Sequence, residues 1–285
     1  MSESVFLAED DCFVPTEHAR GPWDPQALHG GAPAALMTTA FERVEPGAAL
    51  PIARLGFELL RPIPFAPLSI STRIVRPGRR VQELAGELRC GGELIARASA
   101  LRVQAIPDGL PGVAPDRFDG FGTAAAGHAP ATTQATEPAA ADGAMPGPDA
   151  GKAVRFALDD TDRTSFAASA MEMRWLGDPE SLGPARVWMR LRHPLVPGET
   201  LTPLARLVAT SDFGNGVSAE LPFERFLFIN ADLTIHLHRS PQGEWIGLDA
   251  RTLLHRHGMG LAESVLHDVH GPVGQAFQTL VVQPR

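Results

Sequence analysis

The sequence lacks the features that mark several large classes of protein. Only two cysteines, Cys12 and Cys90, occur in 285 residues, which is too few for a disulfide framework and does not form a CxxC metal motif. No apolar run reaches the roughly 18 residues that a membrane span needs. The first residues carry acids where a signal peptide would have a basic segment. We therefore expect a cytoplasmic chain that does not contact a membrane.

Positive charge is also scarce. The formal net charge is −8, with 25 Lys and Arg against 33 Asp and Glu, whereas proteins that bind nucleic acids usually present a basic surface. No nucleic-acid partner is therefore expected. The chain also has no Gly-x-Ser-x-Gly elbow of a serine hydrolase, no P-loop and no dinucleotide fingerprint. We expect no cofactor and no metal requirement.

One segment departs from this acidic balance. Residues 51–105 contain nine Arg against four Glu, and the densest part is RIVRPGRRV at 73–81. Arg76, Arg79 and Arg80 would suit a docking patch for the phosphates of a ligand such as CoA, through charge-assisted contacts. The alternative is a solvated hairpin tip that binds nothing.

A long stretch of small residues divides the chain. Of the 45 residues at 107–151, 27 are Ala, Gly or Pro, and such a composition buries too little surface to offset the entropy of ordering it. The sequence therefore predicts three parts: an N-terminal domain at 1–106, a mobile linker at 107–151 and a C-terminal domain at 152–285.

Each flanking half shows one helical pattern and several strand patterns. Helices are predicted at 33–45 and at 202–212. The strand-like segments of the first half lie at 53–62, 68–75, 80–90 and 93–104, and those of the second half at 169–176, 185–191, 225–239, 244–255, 258–269 and 274–283. Period-2 alternation and intervening turn signals indicate antiparallel hairpins. The fold class is therefore α+β, with one helix and a long antiparallel sheet in each half.

The clearest alternation lies at 227–238. The odd-numbered positions there are apolar and form one face, whereas the even-numbered positions are mostly polar and include Asn230 and Asp232. Alternation of this kind predicts a half-buried strand. If the apolar face packs on the helix, Asn230 and Asp232 point away from it unless a bulge interrupts the strand.

Four motifs together resemble one family. In chain order they are HGGAPAALMTTAFERV (29–44), PLVPGETLTPLARLVATSDFGNGVS (194–218), INADLTIHLHR (229–239) and GQAFQTLVV (274–282). They resemble the acyl-CoA thioesterase II-like family over nearly the whole chain except the linker. The resemblance implies a double hot-dog fold, in which each of two tandem domains is a helix wrapped by an antiparallel sheet. It also implies hydrolysis of an acyl-CoA thioester to a carboxylate and CoA.

The residues before the first helix suit the binding of a carbonyl oxygen. His29, Gly30 and Gly31 come just ahead of Pro33, which has no N–H and suits a first helical turn. The free N–H groups at a helix N-terminus carry positive partial charge, and glycine lets a ligand approach the backbone. Charge developing on a thioester oxygen would be stabilised there, as in an oxyanion hole. The alternative is a tight loop in which His29 only packs.

The acid that such a loop needs is found in the other half. In single hot-dog thioesterases with a His-Gly-Gly loop, a helix acid follows the His by nine residues and works with the loop of the other subunit. Here that position is Thr38, which is no base. Asp212 ends the second helix, but the residue nine before it is Pro203. If the halves pair as in a hot-dog dimer, they form one complete site and one degenerate site.

The resemblance assigns roles to three residues. Asp212 in TSDFGNG matches the family's helix Asp, Gln278 in QAFQTL matches its last-strand Gln, and Asn230 in INADL replaces its Thr or Ser. The resemblance implies that the three hold the attacking water, with Asp212 as general base or as direct nucleophile. Asn can orient a water but lacks a hydroxyl. Asp232 is the neighbouring candidate.

Three other interpretations are open. Asp24 and His29 resemble the Asp and His pair of hot-dog enoyl-CoA hydratases. The Asn230 departure would suit an acyl-CoA binder without efficient turnover. The His-x-His pairs at 236–238 and 255–257 could ligate a metal, although no third ligand at a fixed spacing is evident. By analogy with similar proteins we expect a homo-oligomer.

Overall fold

A computed structural model describes residues 4–45, 50–106, 145–155 and 164–285 of the chain. Within these ranges the strands form one antiparallel sheet of 14 strands. Two longer helices, α1 (Gly31–Arg43) and α2 (Pro203–Ser211), are largely buried and belong to the same apolar core. None of the helices in the described ranges has the length and apolar character needed to cross a bilayer.

The first half supplies six of the strands. They are β1 (Phe6–Glu9), β2 (Cys12–Pro15), β3 (Ile52–Leu59), β4 (Leu68–Arg76), β5 (Val81–Cys90) and β6 (Glu93–Val103). The four predicted strands are confirmed as β3 to β6. β1 and β2 were not predicted, because each is only four residues long and alternation needs a longer run to be visible.

The second half supplies eight strands and a short helix. The strands are β7 (Lys152–Ala153), β8 (Met171–Trp175), β9 (Ala185–Leu191), β10 (Phe226–Asn230), β11 (Asp232–Leu237), β12 (Ile246–Leu254), β13 (Met259–Asp268) and β14 (Gly271–Pro284). The short helix α3 (Gly214–Val217) follows α2 almost directly. All six predicted strand segments are present, although the segment 225–239 is divided into β10 and β11.

The two halves share the sheet edge to edge. The strand order is β1-β2-β4-β5-β6-β3-β11-β14-β13-β12-β9-β8-β7, and β10 pairs beside it with β14. β3 of the first half pairs antiparallel with β11 of the second half, with Gly56 opposite Thr234. The halves are therefore related as two subunits that join their sheets around an approximate two-fold axis near this pair.

The helices pack against each other in opposite directions. A Cβ added to Gly31, at the start of α1, would lie 2.6 Å from the carbonyl oxygen of Ala209 near the end of α2. At the other end, the Thr202 hydroxyl that caps α2 donates a hydrogen bond of 2.7 Å to Glu42 of α1. Each helix therefore places its N-terminus beside the C-terminal end of the other.

A β-bulge interrupts the predicted strand at Ala231. β10 pairs Asn230 with Leu280 of β14, whereas β11 pairs Thr234 with Phe277 of the same strand. The stretch between these pairs contains one more residue in the β10–β11 segment than in β14. Because the side-chain period of a strand is two residues, one extra residue exchanges the two faces.

The bulge changes which residues of this segment face the helices. Phe228 is 4% exposed and Ile229 is 48% exposed, whereas beyond the bulge Leu233 is 2% exposed. The prediction of one continuous apolar face over 227–238 was therefore wrong for β10. Its correction matters for function, since Asn230 shares the inward face of Phe228 and points toward the helices.

Most of the predicted linker, residues 107–144, lies outside the described residues. Its end, 145–151, packs on the second half. The Pro146 carbonyl accepts a hydrogen bond of 2.6 Å from the Trp188 indole, and Asp149 pairs with Arg174 at 2.8 Å. These contacts attach residues 145–151 to the C-terminal half.

Candidate active site

The antiparallel helices bring the His-Gly-Gly loop of one half against the acid of the other. Nδ1 of His29 lies 3.1 Å from Oδ2 of Asp212, and the two side chains are 10% and 6% exposed. An added Cβ at Gly30 would lie 2.9 Å from the same carboxylate oxygen, and one at Gly31 would lie 3.2 Å from the Asp212 Cβ. Both positions therefore need glycine for this close approach.

The loop is held from both sides. The His29 N–H donates to the carbonyl of Ala19 at 3.0 Å. The imidazole stacks on Phe213, with ring centroids 4.3 Å apart, and also contacts Phe166 at 5.1 Å. Since Phe213 follows Asp212 in the chain, one short segment supplies both the carboxylate and the surface that orients the ring.

Two side-chain amides hold the carboxylate. Oδ1 of Asp212 accepts hydrogen bonds from Nδ2 of Asn230 at 2.9 Å and from Nε2 of Gln278 at 3.1 Å. Nε2 of Gln278 also donates to the Asp212 carbonyl at 3.1 Å, and its Oε1 accepts the Asn215 N–H at 3.0 Å. An NH2 group has two hydrogens, so the Gln278 amide has no donor left for a water.

The two amides therefore differ in what they can do. Gln278 was expected to align the attacking water, but the geometry makes it a support for the carboxylate. The Asn230 side chain donates only one hydrogen bond, to Asp212. The second N–H of its Nδ2 and its side-chain oxygen Oδ1 have no partner among the described residues. Asn230 is the amide that can contact a water beside the carboxylate.

The short helix after Asp212 was not recognised as part of the site. An added Cβ at Gly214 would lie 2.8 Å from Oε1 of Gln278 and from Oγ of Ser264, so the glycine allows α3 to sit against β13 and β14. Asn215 is 4% exposed, and its Oδ1 is a buried acceptor without a partner in the described ranges. The sequence placed both residues in one motif but did not show their contact with Gln278.

The loop offers two backbone donors. The Gly30 N–H has no acceptor among the described residues, whereas the Gly31 N–H points at Nδ1 of His29 at 3.1 Å. A ring nitrogen cannot accept from Gly31 and donate to Asp212 at the same time. When Nδ1 carries a hydrogen toward the carboxylate, the Gly31 N–H is released for another acceptor.

The two-fold relation identifies the counterpart of Asp212. Glu42 follows Pro33 of α1 by nine residues, and Asp212 follows Pro203 of α2 by nine. The first helix therefore does carry an acid, at Glu42, which the spacing from the His had not revealed. Thr38, the position expected for an acid, is fully buried inside the helix packing.

The second site has an acid but lacks the amides. The approximate two-fold axis relates Gly56 of β3 to Thr234 of β11. The same relation makes Ile52 the counterpart of Asn230, and Ala100 the counterpart of Gln278. The register shift of β3 between Ile52 and Arg54 corresponds to the bulge in the second half. With two apolar side chains in these positions, the second site lacks the two amide donors that hold the Asp212 carboxylate in the first site.

The acid of the second site is half-buried. Glu42 accepts the hydrogen bond from Thr202, and burial raises its pKa. A cavity of about 280 Å³ lies beside it and is also lined by Arg102, whose guanidinium donates to the carbonyl of Phe41 and to Gln82.

Glu42→Gln is expected to stabilise the fold at neutral pH. Folding raises the pKa of Glu42, so the protonated form is favoured in the native state and stability is lost as the pH rises through the folded pKa. Gln keeps an acceptor for Thr202 without ionising. We expect Tm to rise by about 1–4 °C at about pH 7, and by less near pH 4, below the ordinary pKa. Thermal melts at both pH values test this, and a lower Tm at neutral pH would contradict it.

The structure does not bring the predicted phosphate-binding arginines to this site. Arg76, Arg79 and Arg80 lie at the exposed turn between β4 and β5. That turn adjoins Gln82, which donates to Glu45 just after α1. The arginines are therefore at the far end of α1, whose 13 residues span about 20 Å. Arginine density in the sequence does not reveal this separation.

The other candidate residues lie apart from the site. Oδ1 of Asp24 accepts the Gln26 N–H at 2.8 Å on the surface, and the carboxylate that contacts His29 is Asp212. This arrangement does not form the hydratase pair. Asp232 accepts the Thr279 N–H at 2.7 Å and is not joined to the Asp212 cluster.

The His-x-His pairs do not gain further ligands. The rings of His255 and His257 lie 5.1 Å apart. In the parts of the chain that the structure describes, no three His, Cys, Asp or Glu side chains are placed to hold a metal ion.

Comparison with known proteins identifies the family of this chain. The model of the acyl-CoA thioesterase N-terminal domain matches residues 19–103, and that of the acyl-CoA thioesterase C-terminal domain matches residues 115–282. The chain belongs to the acyl-CoA thioesterase family and is a thioester hydrolase. A search of curated proteins gave no match.

Solved structures show the same fold. A candidate thioesterase from Novosphingobium aromaticivorans has a TM-score of 0.66 at 18% identity, with 97% of this chain and 98% of that chain covered. A hot-dog protein from Alicyclobacillus acidocaldarius gives 0.64 at 17%, covering 98% and 95%. An acyl-CoA thioesterase II from Mycobacterium marinum gives 0.58 at 17%, covering 94% and 96%. The predicted double hot-dog fold is confirmed.

Proposed function

We propose that the protein hydrolyses acyl-CoA thioesters to a carboxylate and CoA at one site per chain, between the N-terminus of α1 and the C-terminal end of α2. The observation that carries this proposal is the contact of 3.1 Å between Asp212 and His29. It places a carboxylate beside a helix N-terminus whose glycine N–H groups can bind a carbonyl oxygen.

The thioester carbonyl is bound by the loop donors. The Gly30 N–H is unpaired within the described residues, and the Gly31 N–H is released when Nδ1 of His29 donates to Asp212. As the carbonyl carbon becomes tetrahedral, negative charge on its oxygen strengthens these hydrogen bonds. Each well-placed donor of this kind contributes about 3–4 kcal/mol to the transition state.

Asp212 acts as general base toward a water that Asn230 holds. The water oxygen forms a bond to the carbonyl carbon while one water proton moves to the carboxylate. The tetrahedral intermediate then re-forms its C=O bond and the C–S bond breaks. The proton on Asp212 passes to the departing sulfur, which leaves CoA as a thiol, and the product acid gives its remaining proton to solvent.

The direct test is free-thiol release from a panel of acyl-CoAs with short, long and aromatic acyl groups. Thiol release in stoichiometry with carboxylate is the expected result. Binding of every panel member without thiol release would instead identify a non-catalytic acyl-CoA binder. Hydration of crotonyl-CoA without hydrolysis would overturn the proposal in favour of a hydratase.

Asn230→Ala is expected to lower kcat about 10- to 100-fold, because it removes a hydrogen bond to a charged group, worth about 1.5–3 kcal/mol. Asn230→Ser keeps a short donor and acceptor and should retain part of the activity. The matched control is Asp232→Asn, two residues away, which keeps an acceptor for the Thr279 N–H. Equal losses in the Asn230 and Asp232 variants would contradict the assignment.

A further inference from the structure

A row of aromatic rings leads from the surface to the candidate active site. The ring centroids of Trp23 and Phe223 are 4.9 Å apart, and those of Phe223 and Phe228 are 5.3 Å apart. Trp23 is 38% exposed at the outer end, whereas Phe228 is 4% exposed at the inner end. Phe228 and Asn230 share the inward face of β10, about 7 Å apart along the strand, so the row ends beside the Asp212 cluster.

Two arginines flank the outer end of this aromatic row. The Arg285 guanidinium lies over the Trp23 ring, 5.8 Å from its centroid, and its Nε donates to the Phe223 carbonyl at 2.8 Å. Arg225 is exposed and lies over the Phe226 ring at 5.7 Å. Neither guanidinium has a carboxylate partner among the described residues, so both keep N–H donors for an anion.

The carboxylates nearest in the chain do not neutralise this pair. Asp24 is directed into its own loop by the hydrogen bond from Gln26, and Glu224 is exposed without an ion pair in the described ranges. Several other arginines are engaged with acids, as in the pairs Arg20 with Glu17 and Arg61 with Glu93. Arg79 and Arg80 of the β4–β5 turn, like Arg225 and Arg285, have no ion pair in the described ranges, but no aromatic ring lies beside them there.

We propose that this rim, formed by Trp23, Phe223, Arg225 and Arg285, binds the adenosine 3′,5′-bisphosphate end of CoA. The exposed indole offers a stacking surface for adenine, and guanidinium groups are well suited to phosphate oxygens. The pantetheine arm then follows the aromatic row to the carbonyl site. The inference rests on the proposed function, and it assigns the phosphates to this rim and not to the hairpin arginines at the far end of α1.

The first test compares two substrates with the same acyl group, one on CoA and one on pantetheine, which lacks the nucleotide. Trp23→Ala is expected to raise KM for the CoA thioester about tenfold, in the range known for base stacking, with kcat within about twofold. The KM for the pantetheine thioester should not change. Trp23→Phe should restore most of the affinity, and Arg225→Gln should raise KM for the CoA substrate alone.

The control is Arg79→Ala in the β4–β5 turn, which should leave both KM values unchanged. If Arg79→Ala raised KM for the CoA substrate alone, the nucleotide would bind the hairpin and the proposal would be overturned. Equal KM increases for both substrates in the Trp23 variants would also overturn it, because the residue would then shape the acyl or pantetheine site.

The second test does not depend on hydrolysis. Calorimetric titration of the full chain with adenosine 3′,5′-bisphosphate should show binding that Trp23→Ala and Arg225→Gln weaken and that Arg79→Ala does not. Binding with this pattern would support the subsite even if no thioester were hydrolysed. Absence of binding to the wild-type protein, or binding that all three variants leave unchanged, would overturn the inference.

Discussion

Asp212→Asn is expected to lower kcat for thioester hydrolysis by about 10²- to 10⁴-fold, the range that general acid–base catalysis contributes. The substitution removes the only carboxylate that contacts the His-Gly-Gly loop in the described residues. An amide cannot accept a proton from water at neutral pH. If Asp212 were a nucleophile, the same loss would be accompanied by the loss of a covalent acyl-enzyme intermediate.

The site should keep its structure in this variant. The side-chain oxygen of Asn can accept the amide hydrogen bonds that Oδ1 now receives from Asn230 and Gln278. Its NH2 group takes the place of Oδ2 and can donate to Nδ1 of His29. We therefore expect little change in Tm, so that a lost rate reports on proton transfer.

The matched control is Glu42→Gln, the same chemical change at the two-fold related position. The second site lacks the amides and the glycine loop, so this variant should hydrolyse acyl-CoA at the wild-type rate. The measurement is kcat and KM for both variants with the best acyl-CoA of the panel. A rate that survives in Asp212→Asn, or one that falls equally in Glu42→Gln, would refute the assignment of a single site with Asp212 as base.

The sequence predicted the pairing of the two halves because the chemistry is carried by local motifs. His29, Gly30 and Gly31 predict a helix N-terminus that can bind a carbonyl oxygen, and Asp212 ends the helix of the other half. Neither half contains a complete set, and a hot-dog pairing supplies what each lacks. The antiparallel packing of α1 and α2 brings the two sets together, because it places the N-terminus of α1 beside the C-terminal end of α2.

The bulge at Ala231 was not predictable from alternation. Apolar residues continue at every second position through Leu227, Ile229 and Leu233, so the pattern gives no sign that the faces exchange. The exchange is decided by pairing with β14, which is a tertiary contact. Only this pairing explains how Asn230 can reach Asp212.

The different roles of the two amides also could not be predicted from the sequence. Gln278 and Asn230 look equivalent in sequence, since each is an amide on a strand. Counting their hydrogen bonds shows that Gln278 has used both of its donors on Asp212 while Asn230 keeps one free. In the same way, the arginines at 76–80 predicted a positively charged surface. Their position at the end of α1 opposite to the His-Gly-Gly loop depends on the fold and could not be predicted from their density.

Gly31→Ala is expected to impair both stability and activity. The added Cβ would lie 2.6 Å from the carbonyl oxygen of Ala209, and a backbone atom of α2 cannot rotate away. The helices must separate locally, at a cost of about 1–3 kcal/mol, as in overpacked cores. The same shift moves the loop N–H groups, which bind the thioester carbonyl, away from Asp212. A misplacement approaching 1 Å lowers kcat/KM about 100-fold.

Two other glycines separate the steric effect from the chemical one. Gly216→Ala meets no heavy atom within 4 Å and lies in α3, so it should be neutral or slightly stabilising. Gly30→Ala approaches the Asp212 carboxylate at 2.9 Å, and a side chain can turn aside. It should therefore lose activity with a smaller fall in Tm than Gly31→Ala. Thermal melts and kcat/KM for the three variants provide the comparison. Full activity in Gly31→Ala would mean that the thioester carbonyl is bound elsewhere, because the loop donors cannot keep their distance from Asp212 once the helices have moved apart.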